Sequence, residues 1–251
     1  MRYHNHKLAP VLALAAALCS PDCLAGETLV AVAANFTDAA REIAAAFQRD
    51  TDHGATLSFG ASGQFYAQIT QQAPFQVFLS ADQARPARAE TEGFAVPGSR
   101  FTYAVGKLVL WSAARDVELD ADTLAMGDFS RLAIANPSTA PYGAAAVQVL
   151  ENLGLYQTLS AKLVRGNNIS QTYQFVDTGN AELGFVALAQ LAGRDTGARW
   201  LVPETLHSPI RQDAVLLRSG AGSDAAQAFM EYLRGPVAQA IIQRYGYGVA
   251  D

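Results

Sequence analysis

Short apolar runs alternate along the chain with stretches in which apolar residues recur every three or four positions. The runs predict buried strands, and the helical spacing predicts amphipathic helices. The predicted strands lie at 28–33, 55–59, 75–80, 101–111, 131–135, 183–187 and 214–217. Helices are predicted at 36–47, 64–72 and 82–92, from the starts at 141–143 and 167–170, and over 223–245. Strands that alternate with helices indicate an α/β protein with a largely parallel sheet.

Two β-type runs have the positions expected for chain crossings between two lobes. The run at 101–111 is long enough to leave one lobe and enter another, and the run at 214–217 is a candidate return crossing. The first lobe would then be discontinuous and contain residues 26–104 and 212–251. The second lobe would contain residues 105–211.

The first 25 residues have the pattern of a secretory signal peptide. Arg2 and Lys7 give a basic start, and residues 8–18 form an apolar run that is too short to span a membrane. Small residues follow, and we expect cleavage after Ala25. The mature chain would therefore be released into the periplasm.

Cysteine positions and charge narrow the class of protein further. The two cysteines, Cys19 and Cys23, both fall in the predicted signal peptide, so the mature chain would form no disulfide. The residues before them do not fit a lipoprotein signal. The whole chain has a formal net charge of −5, which argues against a nucleic-acid-binding surface.

Ser62 lies between two glycines where a predicted strand passes into a predicted helix. A serine nucleophile would require Gly-x-Ser-x-Gly, and here Gly60 fits whereas position 64 is Gln64. The mature chain offers only His53 and His207 as possible bases, both in polar loops. A hydrolase is therefore disfavoured. The remaining alternatives are an ordinary helix N-cap and a site where backbone N–H groups bind an anion.

The same strand-to-helix signal recurs at Asn35, Tyr142 and Ile169. In an open α/β sheet ligands bind at the carboxyl ends of strands, and helix N-termini present unpaired N–H groups and positive potential there. The only nearby cation is Arg165, upstream of the fourth start. No obvious carboxylate acceptor accompanies these donors. Such a site favours fully ionised tetrahedral anions such as sulfate, molybdate or tungstate.

The chain resembles the periplasmic molybdate-binding proteins of ABC transporters over essentially its whole mature length. The stretches that carry the likeness occur in order at 30–39, 58–69, 73–83, 93–113, 134–143, 181–190 and 232–247. The resemblance implies a two-lobed periplasmic-binding-protein fold of type II, with each lobe a mostly parallel sheet flanked by helices. It places the ligand in the cleft between the lobes.

The resemblance also implies which residues bind the ligand. These are Asn35, the hydroxyl and amide of Ser62, the amide of Tyr142 and the amide of Ile169. It implies molybdate or tungstate as ligand, bound through the oxygens with no metal coordinated directly, and neither a cofactor nor a catalytic residue. The implied partner is a membrane-embedded ABC permease, and the protein is expected to be a monomer that binds no nucleic acid.

Two positions depart from the pattern of the family. Position 187 is Ala187 where one branch has a tyrosine, so we expect Tyr142 to replace that hydroxyl. Ala34 stands where a close branch has threonine, which leaves only its backbone. The alternatives that stay open are a binding protein for sulfate or another small tetrahedral oxyanion, a serine hydrolase that uses Ser62, and a signalling module with a membrane partner.

Overall fold

The computed structural model describes Met1 and residues 26–114 and 118–248. The remainder of the predicted signal peptide and the cleavage point after Ala25 lie outside the described residues. In the described part of the chain, no helix is both long enough and apolar enough to cross a bilayer.

The chain forms ten strands and nine α-helices in its described part. The strands are β1 (Glu27–Ala33), β2 (Gly54–Gly60), β3 (Val77–Leu79), β4 (Phe101–Gly106), β5 (Leu108–Ser112), β6 (Leu132–Ala135), β7 (Leu163–Gly166), β8 (Leu183–Ala187), β9 (Ala198–Leu201) and β10 (Ile210–Leu216). The helices are α1 (Thr37–Thr51), α2 (Ser62–Thr70), α3 (Ala84–Thr91), α4 (Ala121–Met126), α5 (Pro141–Asn152), α6 (Tyr156–Leu159), α7 (Ile169–Asp177), α8 (Asp224–Arg234) and α9 (Pro236–Arg244). Short 3₁₀ turns, including Ala34–Phe36, lie between them.

The strands form two five-stranded sheets, each covered by helices. The first sheet has the order β2-β1-β3-β10-β4 and packs with α1, α2, α3, α8 and α9; we call this unit lobe 1. The second has the order β7-β6-β8-β5-β9 and packs with α4 to α7; we call it lobe 2. The predicted division of the chain at 104/105 and 211/212 stays a prediction.

The sheets are mixed, whereas the sequence pattern predicted a largely parallel arrangement. In lobe 1, β1 pairs in parallel with β2 and β3, but β10 pairs antiparallel with β3 and β4. In lobe 2, β6 pairs in parallel with β7 and β8, but β5 pairs antiparallel with β8 and β9. Each antiparallel pair includes β5 or β10, the strands next to the crossings between the lobes. These strands are not joined to their partners by strand–helix–strand units.

The predicted long run at 101–111 is two strands in the structure. The chain breaks at Lys107, so that β4 belongs to the first sheet and β5 to the second. The return segment is longer than predicted, because β10 already begins at Ile210. Both crossings therefore lie side by side, with β4 and β10 paired at the edge of the first sheet.

Each lobe has its own apolar core, which holds the strand ends of the site in place. In lobe 1, α1 buries one face at helical spacing, with Ala39, Ile43 and Phe47 against the sheet. In lobe 2, α5 buries Ala146 and Val149 in the same way. Complete burial of a side chain such as Phe47 contributes about 1.5–3 kcal/mol to stability.

Candidate functional site

Four helical segments begin at the carboxyl ends of parallel strands and meet between the lobes. The 3₁₀ turn Ala34–Phe36 follows β1, and α2 follows β2. From lobe 2, α5 follows β6 and α7 follows β7. Within each sheet these strands are parallel, so their carboxyl ends share one edge. The two edges face a common cavity.

The cavity between these helix starts is small and is lined by residues of both lobes. Its volume is about 10 Å³, which is near the minimum that a single water molecule requires. Its lining consists of Ala33, Ala34, Asn35, Gly60, Ala61, Ser62, Ala81, Ala140, Pro141, Tyr142, Asn168 and Ile169. The structure therefore brings together all four residues that the sequence singled out.

Backbone N–H groups at the helix starts are hydrogen-bond donors available to the cavity. Ser62 and Ile169 are the first residues of α2 and α7. Pro141 is the first residue of α5 and has no N–H, so Tyr142 provides the first donor of that helix. The first N–H groups of a helix have no acceptor within it. Their partial positive charge favours an anion at this point.

Ser62 does not cap its helix, which rules out the ordinary N-cap interpretation. The N-cap position is occupied by Ala61, and no side chain accepts a hydrogen bond there. Instead, the Ser62 Oγ accepts a hydrogen bond from the backbone N–H of Ala81, with a distance of 2.9 Å between nitrogen and oxygen. Ser62 is buried, and its own hydroxyl proton remains free for a guest in the cavity.

The side-chain amide of Asn35 already has partners within the protein. Its Nδ2 donates to the Oε1 of Gln212 at 2.8 Å and to the hydroxyl of Tyr247 at 3.1 Å. The Tyr247 hydroxyl in turn donates to the carbonyl oxygen of Asn35 at 2.7 Å. Both Nδ2 hydrogens are thereby used. The donor that Asn35 has left for a ligand is its backbone N–H.

The phenol groups behind the cavity are neutral. Tyr103, Tyr142 and Tyr247 are each buried, and burial raises the pKa of each hydroxyl above its usual value. The Nε2 of Gln212 donates to the hydroxyl of Tyr142 at 3.2 Å. The hydroxyls therefore act as neutral hydrogen-bonding groups over the whole range in which proteins are usually studied.

Hydrogen bonds join the two lobes around the cavity. The N–H of Gly63 in lobe 1 donates to the carbonyl of Thr139 in lobe 2 at 2.8 Å. A Cβ atom at Gly63 would lie 2.9 Å from the Cα of Thr139, so only glycine allows this approach. From lobe 2, the Ser170 Oγ donates to the carbonyl of Ala34 at 3.2 Å. The structure is thus a closed arrangement of the lobes.

The cavity is electrostatically unusual because its described lining contains no charged side chain. A cation lies just outside, where Arg85 of α3 is paired with Asp82 and donates through Nη2 to the carbonyl of Ser138 at 3.1 Å. This guanidinium joins the lobes and does not line the cavity. The polar groups that a guest would meet in the cavity are neutral.

The two candidate bases of the hydrolase interpretation lie away from Ser62. His53 precedes β2 whereas Ser62 follows it, so they lie at opposite ends of that strand, and Nδ1 of His53 accepts from the N–H of Gly26 at 3.0 Å. His207 lies beside Ser208 in the segment before β10. Neither histidine lines the cavity. Among the described residues that line the cavity, no histidine is available to activate the serine.

A direct metal site is not supported by the described side chains. Among them, no group of three or more His, Cys, Asp or Glu residues is arranged to hold a metal ion. The cavity instead presents neutral hydrogen-bond donors at helix starts, a type of site that suits an anion.

Comparison with known proteins gives the family. The family model described as bacterial extracellular solute-binding protein matches residues 28–248. The chain is 55% identical to the molybdate-binding protein ModA of Rhodobacter capsulatus over 239 residues, which covers 95% of this chain and 94% of that protein. The chain belongs to the ModA family of bacterial solute-binding proteins. The resemblance drawn from the sequence is thereby confirmed.

Two further relatives define how this ModA-family protein compares in sequence and fold. It is 29% identical over 231 residues to ModA of Escherichia coli, with 89% of this chain and 90% of that protein covered. It superimposes on the periplasmic molybdate-binding protein of Azotobacter vinelandii with a TM-score of 0.86 and 42% identity, covering 89% of this chain and 100% of that structure. The predicted type II fold of two lobes is confirmed by this likeness.

Sequence reasoning missed the second layer of the site in this ModA-family chain. Gln212 and Tyr247 hold Asn35 from positions 177 and 212 residues further along the chain. Ala81 supplies the N–H that binds Ser62, although it follows a different strand. None of these contacts has a local signal. The one available hint was Gln212 itself, a polar residue two positions before the apolar run at 214–217.

Proposed function

We propose that this protein captures molybdate, and also tungstate, in the cavity between its lobes. The observation that supports this most is that four helix starts from two lobes surround one small cavity whose described lining has no charged side chain. The proposed donors are the backbone N–H of Asn35, the N–H and hydroxyl of Ser62, and the N–H groups of Tyr142 and Ile169. The names of the relatives agree with this ligand.

The arrangement favours a fully ionised tetrahedral oxyanion over a protonated one. Hydrogen phosphate must donate its own proton, and the described lining carries no carboxylate that would accept it. Sulfate carries no proton but has shorter bonds from its central atom to oxygen than molybdate or tungstate. Donors fixed by rigid helix starts at the larger spacing would leave its hydrogen bonds stretched. Molybdate and tungstate are nearly equal in size, so we expect similar affinities for them.

Neutral donors are sufficient for tight binding. A hydrogen bond to a charged group contributes about 1.5–3 kcal/mol net, so five of them contribute about 8–15 kcal/mol. Restriction of the ligand and closure of the lobes cost several kcal/mol. A micromolar dissociation constant corresponds to about 8 kcal/mol. We therefore expect micromolar or tighter binding without a lysine or arginine in contact with the anion.

We infer that binding is one step of import. In this proposal the chain is exported, the signal peptide is removed after Ala25, and the monomeric protein carries its ligand through the periplasm to a membrane-embedded ABC permease. It needs no cofactor and catalyses no reaction. The description of the family as extracellular solute-binding proteins supports this role.

Calorimetric titration of the mature chain, residues 26–251, with four anions tests the proposed ligand. Molybdate and tungstate should bind with one site and a micromolar or lower dissociation constant, whereas sulfate and phosphate should bind at least about 100-fold more weakly, a difference of about 2.8 kcal/mol. Equal or tighter binding of sulfate would overturn the assignment to molybdate. Loss of ester hydrolysis on Ser62→Ala, if the native chain showed any, would restore the hydrolase interpretation.

Transport tests the second half of the proposal. Proteoliposomes that contain the cognate permease should accumulate molybdate only when the liganded protein is added. A pull-down that yields a signalling receptor and no permease would contradict delivery to an importer, and would favour the signalling alternative.

A further inference from the structure

Gln212 is a completely buried amide at the back of the cavity, and it contacts groups of both lobes. It lies in β10, where the pairing with β4 shifts register between Gln212 and Asp213. Such a bulge changes the direction in which a side chain points. A buried amide is under strong pressure to satisfy its donors and acceptors. The partners of Gln212 therefore show what its position achieves.

The partners of Gln212 determine which atom donates and which accepts in each of a series of hydrogen bonds. It begins at the carbonyl oxygen of Asn35, which can only accept, so the Tyr247 hydroxyl at 2.7 Å must donate its single proton there. The Tyr247 oxygen then accepts from the Asn35 side chain at 3.1 Å, which identifies that atom as Nδ2. The second Nδ2 hydrogen goes to Gln212 at 2.8 Å, which identifies the facing atom as Oε1.

The orientation of Gln212 determines the role of Tyr142. With Oε1 towards Asn35 and Tyr103, the Nε2 of Gln212 faces the Tyr142 hydroxyl at 3.2 Å and donates to it. The Tyr142 oxygen is thus an acceptor in this contact, and its own proton is left for another partner. Tyr142 lines the cavity, where an anion is an acceptor.

We propose that Gln212 is a positioning residue of the anion site, which holds Asn35 and directs the hydroxyl proton of Tyr142 towards the bound oxyanion. This inference rests on the proposed function of the cavity. Gln212 does not line the cavity, so it acts through the two residues that do.

The hydrogen bond between Gln212 and Tyr142 also depends on the closure of the two lobes. Gln212 belongs to a strand of lobe 1, whereas Tyr142 belongs to α5 of lobe 2, so their hydrogen bond forms only when the lobes meet. Gly106 leaves the room for it, because a Cβ atom there would lie 2.1 Å from the Tyr142 hydroxyl oxygen and 2.7 Å from the Gln212 Nε2. The Tyr142 donor is therefore set in the closed arrangement.

The isosteric substitution Gln212→Glu keeps the volume of the side chain and changes its hydrogen-bonding role. It therefore distinguishes a residue that sets the hydrogen bond of Tyr142 from one that only fills space. An ionised glutamate can only accept, so Tyr142 would donate to it and its proton would be lost to the ligand, while a negative charge would stand near the anion. A protonated glutamate has one donor and one acceptor, as glutamine does in this contact. Burial without a countercharge raises the pKa of a carboxyl group, which brings its protonation into an accessible pH range.

The tyrosines that surround position 212 stay protonated over the pH range of such a test. The phenols that face it are neutral because burial raises the pKa of each, and Asp213, the next residue, is paired with Arg100. The ionisable groups that act on this region are Tyr103 of β4, Tyr142 of α5, Tyr247 near the carboxyl end of the chain, Asp213 and its partner Arg100, Asp82 before α3, and Asp38 of α1. Among the described residues that contact Gln212, none is a histidine.

The test is a calorimetric titration of molybdate into Gln212→Glu and native protein between about pH 5.5 and about pH 8.5, where the buried carboxyl is expected to titrate. At the upper end the variant should bind at least about 100-fold more weakly than the native chain, as expected for a lost charged hydrogen bond plus repulsion. The difference should shrink to about 10-fold or less at the lower end. Gln239→Glu, the same change in α9, should follow the native profile.

Each result decides between the possibilities. A loss that is equal at all pH values would mean that Gln212 only fills space, and a native-like affinity throughout would mean that it does nothing for the site; either would overturn the proposal. A native chain that binds neither molybdate nor tungstate would overturn the proposed function and this inference together. Thermal unfolding of the anion-free variant at each pH monitors its folding.

A double-mutant cycle keeps the proposal testable if the glutamate variant does not fold. Gln212→Met and Tyr142→Phe should each weaken molybdate binding, and the double variant should lose less than the product of the two separate factors. Independent, multiplicative losses would show that Gln212 does not act through Tyr142 and would overturn the inference.

Discussion

The Ser62 hydroxyl accepts a hydrogen bond of 2.9 Å from the backbone N–H of Ala81, which lies just after β3, two strands away from β2 in the same sheet. This contact uses the hydroxyl as an acceptor and leaves its proton for the cavity. Ser62 is therefore not the cap of its helix. The direction of its hydroxyl is set by the segment after another strand of the same sheet.

Removal of this hydroxyl should weaken binding without changing the number of sites. For Ser62→Ala we expect a loss of about 10- to 100-fold in molybdate affinity, because one hydrogen bond to a charged ligand disappears. Calorimetry measures it. Ser160→Ala removes an exposed hydroxyl that bonds only locally to Gln157, and it serves as the matched control with unchanged affinity. An unaltered affinity for the Ser62 variant would exclude its hydroxyl as a ligand donor.

Gly63 should be necessary for closure of the lobes. In Gly63→Ala the new Cβ atom would lie 2.9 Å from the Cα of Thr139, and a backbone atom cannot move aside as a flexible side chain does. We expect at least about 10-fold weaker binding as the bond to Thr139 is stretched and the donors of lobe 2 move away. Small-angle scattering of the molybdate-saturated variant should give a larger radius of gyration than the native complex. Gly222→Ala places its Cβ in open space and should behave as native.

Arg85 should slow the release of the ligand. It donates to the carbonyl of Ser138 across the mouth of the cleft, so Arg85→Ala removes one hydrogen bond that is present only when the lobes are together. A net loss of about 0.5–1.5 kcal/mol corresponds to dissociation about 2- to 10-fold faster. Stopped-flow displacement of molybdate by tungstate measures the rate. Arg88 on the same helix pairs with Glu92 on the surface, and Arg88→Ala should leave the rate unchanged.

The buried phenols predict a characteristic pH dependence. Burial raises the pKa of Tyr103, Tyr142 and Tyr247, so the folded protein prefers their neutral forms. Stability from this preference is fully present below about pH 10, where unfolded tyrosines begin to ionise, and it falls as the pH rises further. Urea unfolding should show this decline.

The affinity for molybdate should not depend on pH between about pH 6 and about pH 9, when the dissociation constant is expressed for the free dianion. A titration midpoint of the affinity within that range would reveal an ionisable group in contact with the ligand, which the structure does not place in the cavity.

Local sequence signals were sufficient to predict which strand ends meet at the cavity. Each of Asn35, Ser62, Tyr142 and Ile169 stands where a β-type run gives way to a helix, and each lines the cavity. The α/β rule then places these strand ends together without knowledge of the contacts. For Asn35 the sequence did not indicate which donor remains available, because its side chain is held by the distant Gln212 and Tyr247.

The features that sequence reasoning missed depend on distant contacts or on weak patterns. β9 (Ala198–Leu201) alternates half-buried and exposed positions over only four residues, and β7 (Leu163–Gly166) contains the exposed Arg165. Neither has a clear strand pattern, because burial at an edge of a sheet comes from packing. The mixed direction of the sheets followed from the crossings. The break between β4 and β5 is marked in the sequence only by Gly106 and Lys107, within an otherwise continuous β-type run.

Anomalous diffraction from crystals of the molybdate complex would locate the molybdenum directly. We predict one peak in the cavity between Ser62 and Tyr142, with the molybdate oxygens at hydrogen-bond distance from the backbone N–H groups of Asn35, Ser62, Tyr142 and Ile169 and from the Ser62 hydroxyl. A peak outside this cavity, or an anion held by arginine or lysine side chains, would contradict this prediction.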